Sequence, residues 1–246
     1  MNTFATDIRR CRVRHEGNEN AAHFRRSEQM ELKLSTIQHL EEMIRRYPEL
    51  VDMRSVIMET VQAICESYRS GGKILVCGNG GSAADSEHIV GELMKGFVLK
   101  REMPVSDTER LRNAGYADWR ELADNLQQGI PAIALTGHSS LSSAVLNDND
   151  PYMTYAQQVY GYGKPGDVLL GLSTSGNARN VINAVKVARA FGLVTIGFTG
   201  ARQSAMDEFC DVMVKVPATE TFKVQEYHLP VYHTVCLMVE EELFGN

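Results

Sequence analysis

The chain has 246 residues, 43% of them hydrophobic and 23% charged, enough to bury the core of one domain or of one domain with an appendage. A formal net charge of −6 argues against general nucleic-acid binding, which needs a basic face, but leaves room for a basic pocket around a small phosphate. The five scattered cysteines (Cys11, Cys65, Cys77, Cys210, Cys236) form no CxxC pair, no apolar run approaches membrane-spanning length, and no signal-peptide pattern opens the chain, so the expectation is a soluble cytoplasmic protein with reduced thiols.

Residues 1–26 hold six arginines beside Asp7, Glu16 and Glu19 and show no sustained apolar period, which reads as a polar tail. From Ser27, a possible cap, Met30, Leu34, Ile37, Leu40 and Ile44 recur at helical spacing until Pro48. A second amphipathic helix starts near Val51 and stops at Gly71 and Gly72. Then "KILVC" reads as a short buried strand, followed by a glycine-rich turn and a helix to about Val98. Four more strands follow, "IPAIALT", "GDVLLGLS", "LVTIGFTG" and "CDVMVKVP", with a helix over "VINAVKVARAFG" and a closing helix from about Phe222 to Leu243. Near-continuous apolar strands alternating with helices predict an α/β fold: a doubly wound, parallel five-stranded sheet with helices on both faces. This single domain would span 27–246, with an N-terminal helical pair. Residues 99–129 break the rhythm; they hold Trp119 and a short helix over "DWRELADNL", and read as an insertion that covers something.

Two loops point to an anion. In "VCGNGGS", Gly78, Gly80 and Gly81 follow a strand and Ser82 opens a helix, so close backbone approach meets the unpaired N–H groups of a helix start. The string is neither a Walker A loop nor GxGxxG, and a merely tight turn is the alternative. In "LLGLSTSGNARNV", Ser173, Thr174 and Ser175 end a strand before another helix, an arrangement suited to a phosphate monoester. Both loops would lie on one edge of a parallel sheet, where ligands of such folds bind.

His88 and Glu92 sit one helical turn apart, with Cβ atoms about 5–6 Å apart, close enough to share an ion or a proton. An exposed polar pair is the plain alternative. The last helix carries Gln225, Glu226, His228 and His233, with Val224, Leu229, Tyr232, Cys236 and Val239 marking its buried face. Pro230 should bend it. Taken singly, His228 or His233 reads as a buried, satisfied histidine.

Together, "CGNGGSAADSEHIVGEL", "LSTSGNARNV" and "VQEYHLPVYH" resemble the sugar isomerase (SIS) domain, and more narrowly the phosphoheptose isomerase family, over about Leu32 to Leu243 apart from the insertion. The resemblance implies a flavodoxin-like three-layer sandwich and an aldose–ketose isomerase that interconverts sedoheptulose 7-phosphate and D-glycero-D-manno-heptose 7-phosphate through an enediol. It implies that Asn79, Gly80, Gly81 and Ser82 line the sugar phosphate and that Ser173, Thr174 and Ser175 hold the phosphate, with Asn147, Asp148 and Gln225 also contacting substrate. It further implies Zn²⁺ on His88, Glu92, Gln225 and His233, with Glu92 and His233 as the acid–base pair, in a homotetramer with sites at subunit interfaces.

Ala178 stands where the family has a serine, with Arg179 as a possible replacement, and Phe222 stands where it has an aspartate. The insertion is absent from compact members. Some SIS proteins of this size are instead binding modules, for a replication initiator or as sugar-phosphate sensors; retention of His88, Glu92, Gln225 and His233 favours the enzyme. A nucleotide-binding Rossmann protein is the more distant alternative, because no acid follows the turn at the ribose-binding distance. Gln225 and His233 differ by eight residues, about 12 Å along a helix, whereas zinc bonds are about 2 Å. This spacing predicts a homo-oligomer in which a neighbour lends one ligand, His233.

Overall fold

The computed structural model describes residues 31–245, so the polar tail 1–26, Ser27 and Met30 lie outside the described residues. Helices α1 (Leu34–Arg46) and α2 (Arg54–Arg69), joined by a 3-10 turn at Pro48–Met53, precede strand β1 (Ile74–Gly78) and helix α3 (Gly81–Met94). Helices α4 (Val105–Asn113) and α5 (Trp119–Asn125) form the insertion, followed by β2 (Ala132–Ala134), α6 (Ser139–Asp148) and α7 (Thr154–Tyr162). The chain ends with β3 (Val168–Leu172), α8 (Arg179–Ala190), β4 (Val194–Thr199), α9 (Met206–Phe209), β5 (Val212–Lys215) and α10 (Thr221–Phe244). No described helix is long and apolar enough to cross a membrane.

The five strands are parallel in the order β2-β1-β3-β4-β5. The chain leaves β1 for β2 on one side and then crosses back to β3 on the other, so the order reverses between β1 and β3. A crevice opens there at the strands' carboxyl ends, where ligands of doubly wound sheets sit. The sheet's two-residue period divides its strands between two cores. Ile74, Val76, Val168 and Leu170 face α1, α2, α3 and α10, while Leu75, Cys77 and Leu169 face α7 and α8.

Several elements depart from the sequence pattern. Leu34 is 81% exposed and Ile37 and Ile44 are half-buried; the buried face of α1 is Thr36, Leu40 and Met43. Leu229 lies outside the buried face of α10. Helices α6 and α7 were not expected between the second and third strands; α6 buries only Val145, too little for an apolar period to show. The insertion gains a second helix, α4, and neither α4 nor α5 has a buried residue, so these two helices cover no part of this chain's own core. Its base is held by the Glu102–Gln127 bridge and by Gln128 Nε2, which donates to Tyr68 Oη at 2.8 Å.

Helix α3 stops at Met94, short of Val98, for an electrostatic reason. The buried Arg101 guanidinium donates to the carbonyls of Leu93 (2.7 Å) and Glu92 (3.1 Å), taking acceptors that a further turn would use. The N–H groups of Phe97, Val98 and Leu99 turn away to the Glu240 carboxylate at 2.7, 2.8 and 3.0 Å, and Arg101 Nε reaches it at 2.7 Å. Burial pushes the Glu240 carboxyl up, but these four donors outweigh it and hold it below the usual carboxylate range.

Removing the charge from this completely buried carboxylate strands Arg101. Glu240→Gln should cost about 3–5 kcal/mol of stability in urea denaturation. A loss below about 1 kcal/mol, within the range of an ordinary hydrogen bond, would show that the pair is replaceable.

Candidate active site

Both glycine- and serine-rich loops emerge at the crevice. In the first, Gly80 has φ 57° and ψ −121°, a backbone open in practice only to glycine. A Cβ at Gly81 would lie 2.3 Å from Gln225 Nε2, so the absent side chain is what lets α10 lay Gln225 against the start of α3. No side chain caps α3 or α8; Gly80 and Ala178 stand at the capping positions. In α3 the Ser82 and Ala83 N–H groups already donate to the Asn79 and Gly80 carbonyls, and in α8 the Val181 N–H donates to Asn180 Oδ1, so what each helix start offers the crevice is confined to its very first N–H groups.

The loops are tied together across the switch point. Asn79 and Asn180 exchange side-chain amide hydrogen bonds, both 2.9 Å. Tyr155 Oη donates to the Gly78 carbonyl below them. In the second loop Ser173 is buried, Thr174 is half-buried and Ser175 is exposed, with Ser175 Oγ accepting the Asn177 N–H at 3.2 Å. Ser82 is buried, whereas Thr174 and Ser175 face outward. Asn147 and Asp148 are exposed at the end of α6, which Arg179 draws toward the loop by pairing with Asp150 at 3.3 Å and lying over the Tyr152 ring at 4.3 Å. Phe222 is exposed in the first turn of α10.

The ionisable cluster lies further along, where α3 and α10 run side by side. Gln225 meets Gly81 and, eight residues on, His233 meets His88, seven residues beyond Gly81. The two helices therefore point the same way. His88 Nε2 is 3.2 Å from Glu92 Oε1 and 3.4 Å from His233 Nε2. His88, Glu92 and His233 thus converge within one chain, correcting the expectation that His233 is the ligand lent by a neighbour. Gln225 is the outlier, about 10 Å along α3 from His88.

Tyr232 completes the cluster and was read from sequence only as core. Its hydroxyl is 3.0 Å from His88 Nδ1 and donates to Asp85 Oδ1 at 3.3 Å. Burial pushes the Asp85 carboxyl up, opposed by the Tyr232 hydrogen bond and by His88. Burial and then His88 push the His233 imidazole down, with Glu92 pulling the other way, so His233 favours its neutral form.

A carboxylate oxygen and two imidazole nitrogens meeting at 3.2–3.4 Å need positive charge between them, as protons or as a cation. Two imidazoles and a carboxylate are donors that zinc accepts, and the two separations from His88 Nε2 are close to the edge of about 3.3 Å of a tetrahedron with 2.0–2.1 Å bonds. Among the described residues, however, no group of three His, Cys, Asp or Glu is arranged to hold a metal ion, so the set is incomplete within one chain. His228 is no part of it: it is fully buried edge-on to Phe198, with Nε2 3.4 Å from the Thr199 carbonyl oxygen. Asn180, Tyr155 and Asp85 gave no distinct sequence signal, although Asp85 stands one helical turn before His88.

The SIS domain model matches residues 38–122 and 116–200. The phosphoheptose isomerase of Clostridium acetobutylicum is 38% identical over 190 residues, covering 77% of this chain and 84% of that protein. That of Rhodospirillum rubrum is 39% identical over 194 residues, covering 79% and 89%. Among solved structures, the phosphoheptose isomerase of Neisseria gonorrhoeae superposes with a TM-score of 0.62 at 29% identity, over 91% of this chain and 97% of that one. The phosphoheptose isomerase from Francisella tularensis superposes with a TM-score of 0.66 at 26% identity, over 84% and 97%.

Burial lowers the His228 pKa from 6.5 to about 4. The unfolded chain therefore binds more protons than the folded one between these values. Its contribution is complete above pH 6.5 and is lost as pH falls toward 4, by about 3 kcal/mol in all. In His228→Leu the slope of unfolding free energy against pH over this window should flatten by one proton; an unchanged slope would show that His228 is accessible in the folded state.

Proposed function

This chain belongs to the SIS-domain family, and from that premise we propose that it is an isomerase interconverting sedoheptulose 7-phosphate and D-glycero-D-manno-heptose 7-phosphate. The observation that carries this reading is the convergence of His88, Glu92 and His233 one helix away from two loops able to hold a phosphate. Aldose–ketose exchange needs a base for the carbon-bound proton, an acid for the oxygen and a site for developing negative charge.

Glu92 suits the base. Its side chain is 13% exposed, and its second oxygen is 3.2 Å from Lys95 Nζ, which fixes the direction of the carboxyl group. His233 suits the acid, because a neutral imidazole can donate its N–H to the substrate oxygen and recover the proton from water. Thr174 and Ser175, with the starts of α3 and α8, would take the phosphate and set the distance from it to the reacting carbons.

Zinc would draw its ligands from His88, Glu92, Gln225 and His233 across copies of a tetramer, because no three His, Cys, Asp or Glu among the described residues of one chain are arranged to hold it. When bound, such an ion polarises the oxygens of the reacting carbons. Glu92 bound to an ion is a weaker base, so substrate would have to displace it. The enzyme would work in the cytoplasm.

Incubation with sedoheptulose 7-phosphate in D₂O, followed by NMR, should show aldose formation with deuterium entering at C2. Glu92→Gln should lower kcat by about 10²–10⁴ while leaving the fold intact. Undiminished C2 exchange in that variant would remove Glu92 as the base. Thr174→Ala and Ser175→Ala should each raise KM several-fold with no loss of stability; if neither changes binding of any sugar phosphate, the phosphate lies elsewhere.

A further inference from the structure

Tyr232 is 1% exposed and, among the described residues, shows its hydroxyl to two groups, His88 Nδ1 at 3.0 Å and Asp85 Oδ1 at 3.3 Å. Its ring stands edge-on to His88 and His233, with centroids 5.5 and 5.0 Å away, and so fixes both ring planes. Asp85 Oδ2 is buried and has no hydrogen-bond partner among the described residues, so the carboxyl group is spent on Tyr232 alone. A phenol has one proton to give. Tyr232 Oη donates to Asp85 Oδ1, which as a carboxylate oxygen can only accept, so the phenol proton goes there and the phenol oxygen is left to accept from His88 Nδ1.

We infer that Asp85 and Tyr232 are positioning residues that hold His88 in the tautomer protonated on Nδ1, presenting the Nε2 lone pair to Glu92 and His233. The pattern is that of a carboxylate orienting a histidine, with a phenol inserted between them. It follows α-helical spacing: Asp85 lies one turn before His88 on α3, and Tyr232 immediately precedes His233 on α10. The same two residues thus set His88 and steady its neighbour. The opposite tautomer would place an N–H at the point where Glu92 Oε1 and His233 Nε2 meet, closing it to a cation or a substrate proton.

The kinetic consequence rests on the isomerase reading; the tautomer does not. Protein labelled with ¹⁵N-histidine, as isolated and again after dialysis against a chelator, should show the His88 ring, identified by its loss in His88→Gln, carrying its proton on Nδ1. In Asp85→Ala the phenol has no acceptor left but His88 Nδ1, so the proton should move to Nε2 after chelation. Tyr232→Phe keeps the ring and most of the packing, and should leave a mixture of tautomers. Kinetically, both variants should lose about 10-fold to 100-fold in kcat with little change in KM. A wild-type His88 protonated on Nε2, or an Asp85→Ala protein still protonated on Nδ1, overturns the proposal. Should Asp85→Ala fail to fold, an unshifted Nδ1 proton in Tyr232→Phe overturns it equally. Absence of turnover on every heptose phosphate would remove the isomerase reading and leave the tautomer result standing.

Discussion

The buried Glu240 carboxylate holds together the two helices on which the site depends. It lies on α10, yet it takes the N–H groups of Phe97, Val98 and Leu99 just beyond the end of α3, and the guanidinium of Arg101. Arg101 in turn holds the carbonyls of Glu92 and Leu93. The backbone of Glu92 is therefore tied to Glu240, two turns along α10 from His233. Because neither charge can reach water, relaxing this geometry would leave a buried ion unpaired, and the helix pair has one low-energy register.

That register decides the chemistry. With α3 and α10 pointing the same way, the glycine-rich start of α3 faces Gln225 and its His/Glu turn faces His233. The glycine-rich end and the His/Glu/His end are separated by about two helical turns, a span that fits the proposed sugar phosphate, whose reacting carbons lie far from its phosphate. The Asn79–Asn180 pair and Tyr155 fix the loop end, while Arg101 and Glu240 fix the helix end. The helices of the insertion pack outside both cores, whereas its first residues, Leu99 and Arg101, belong to the tie with Glu240.

Electrostatics separates the histidines that share the QExHxxxxH stretch. His228 is driven neutral by complete burial and serves packing against Phe198. His233 is also pushed toward neutrality, but it stands beside Glu92 and His88, where a neutral imidazole can give and regain a proton. Five residues of helical rotation turn one side chain into the core and the other toward His88 on α3.

The fold class, the five strands and the two glycine- and serine-rich loops were legible in the sequence because each is a local pattern: apolar runs of strand length, glycines and hydroxyls at strand ends, and helices between them. His88 and Glu92 were legible as a pair because helical spacing alone brings them to one face. Tertiary structure decided the rest. The end of α3 is set by Arg101 and Glu240, 139 residues apart in sequence, and no local pattern carries that information. Tyr232 looks like core from its spacing, and only the approach of α10 to α3 reveals its hydroxyl between Asp85 and His88. The grouping of His233 with His88, and the displacement of Gln225 to Gly81, follow from the direction in which two distant helices pack. Sequence spacing fixes how far apart residues lie along one helix, but a second helix fixes which of them meet.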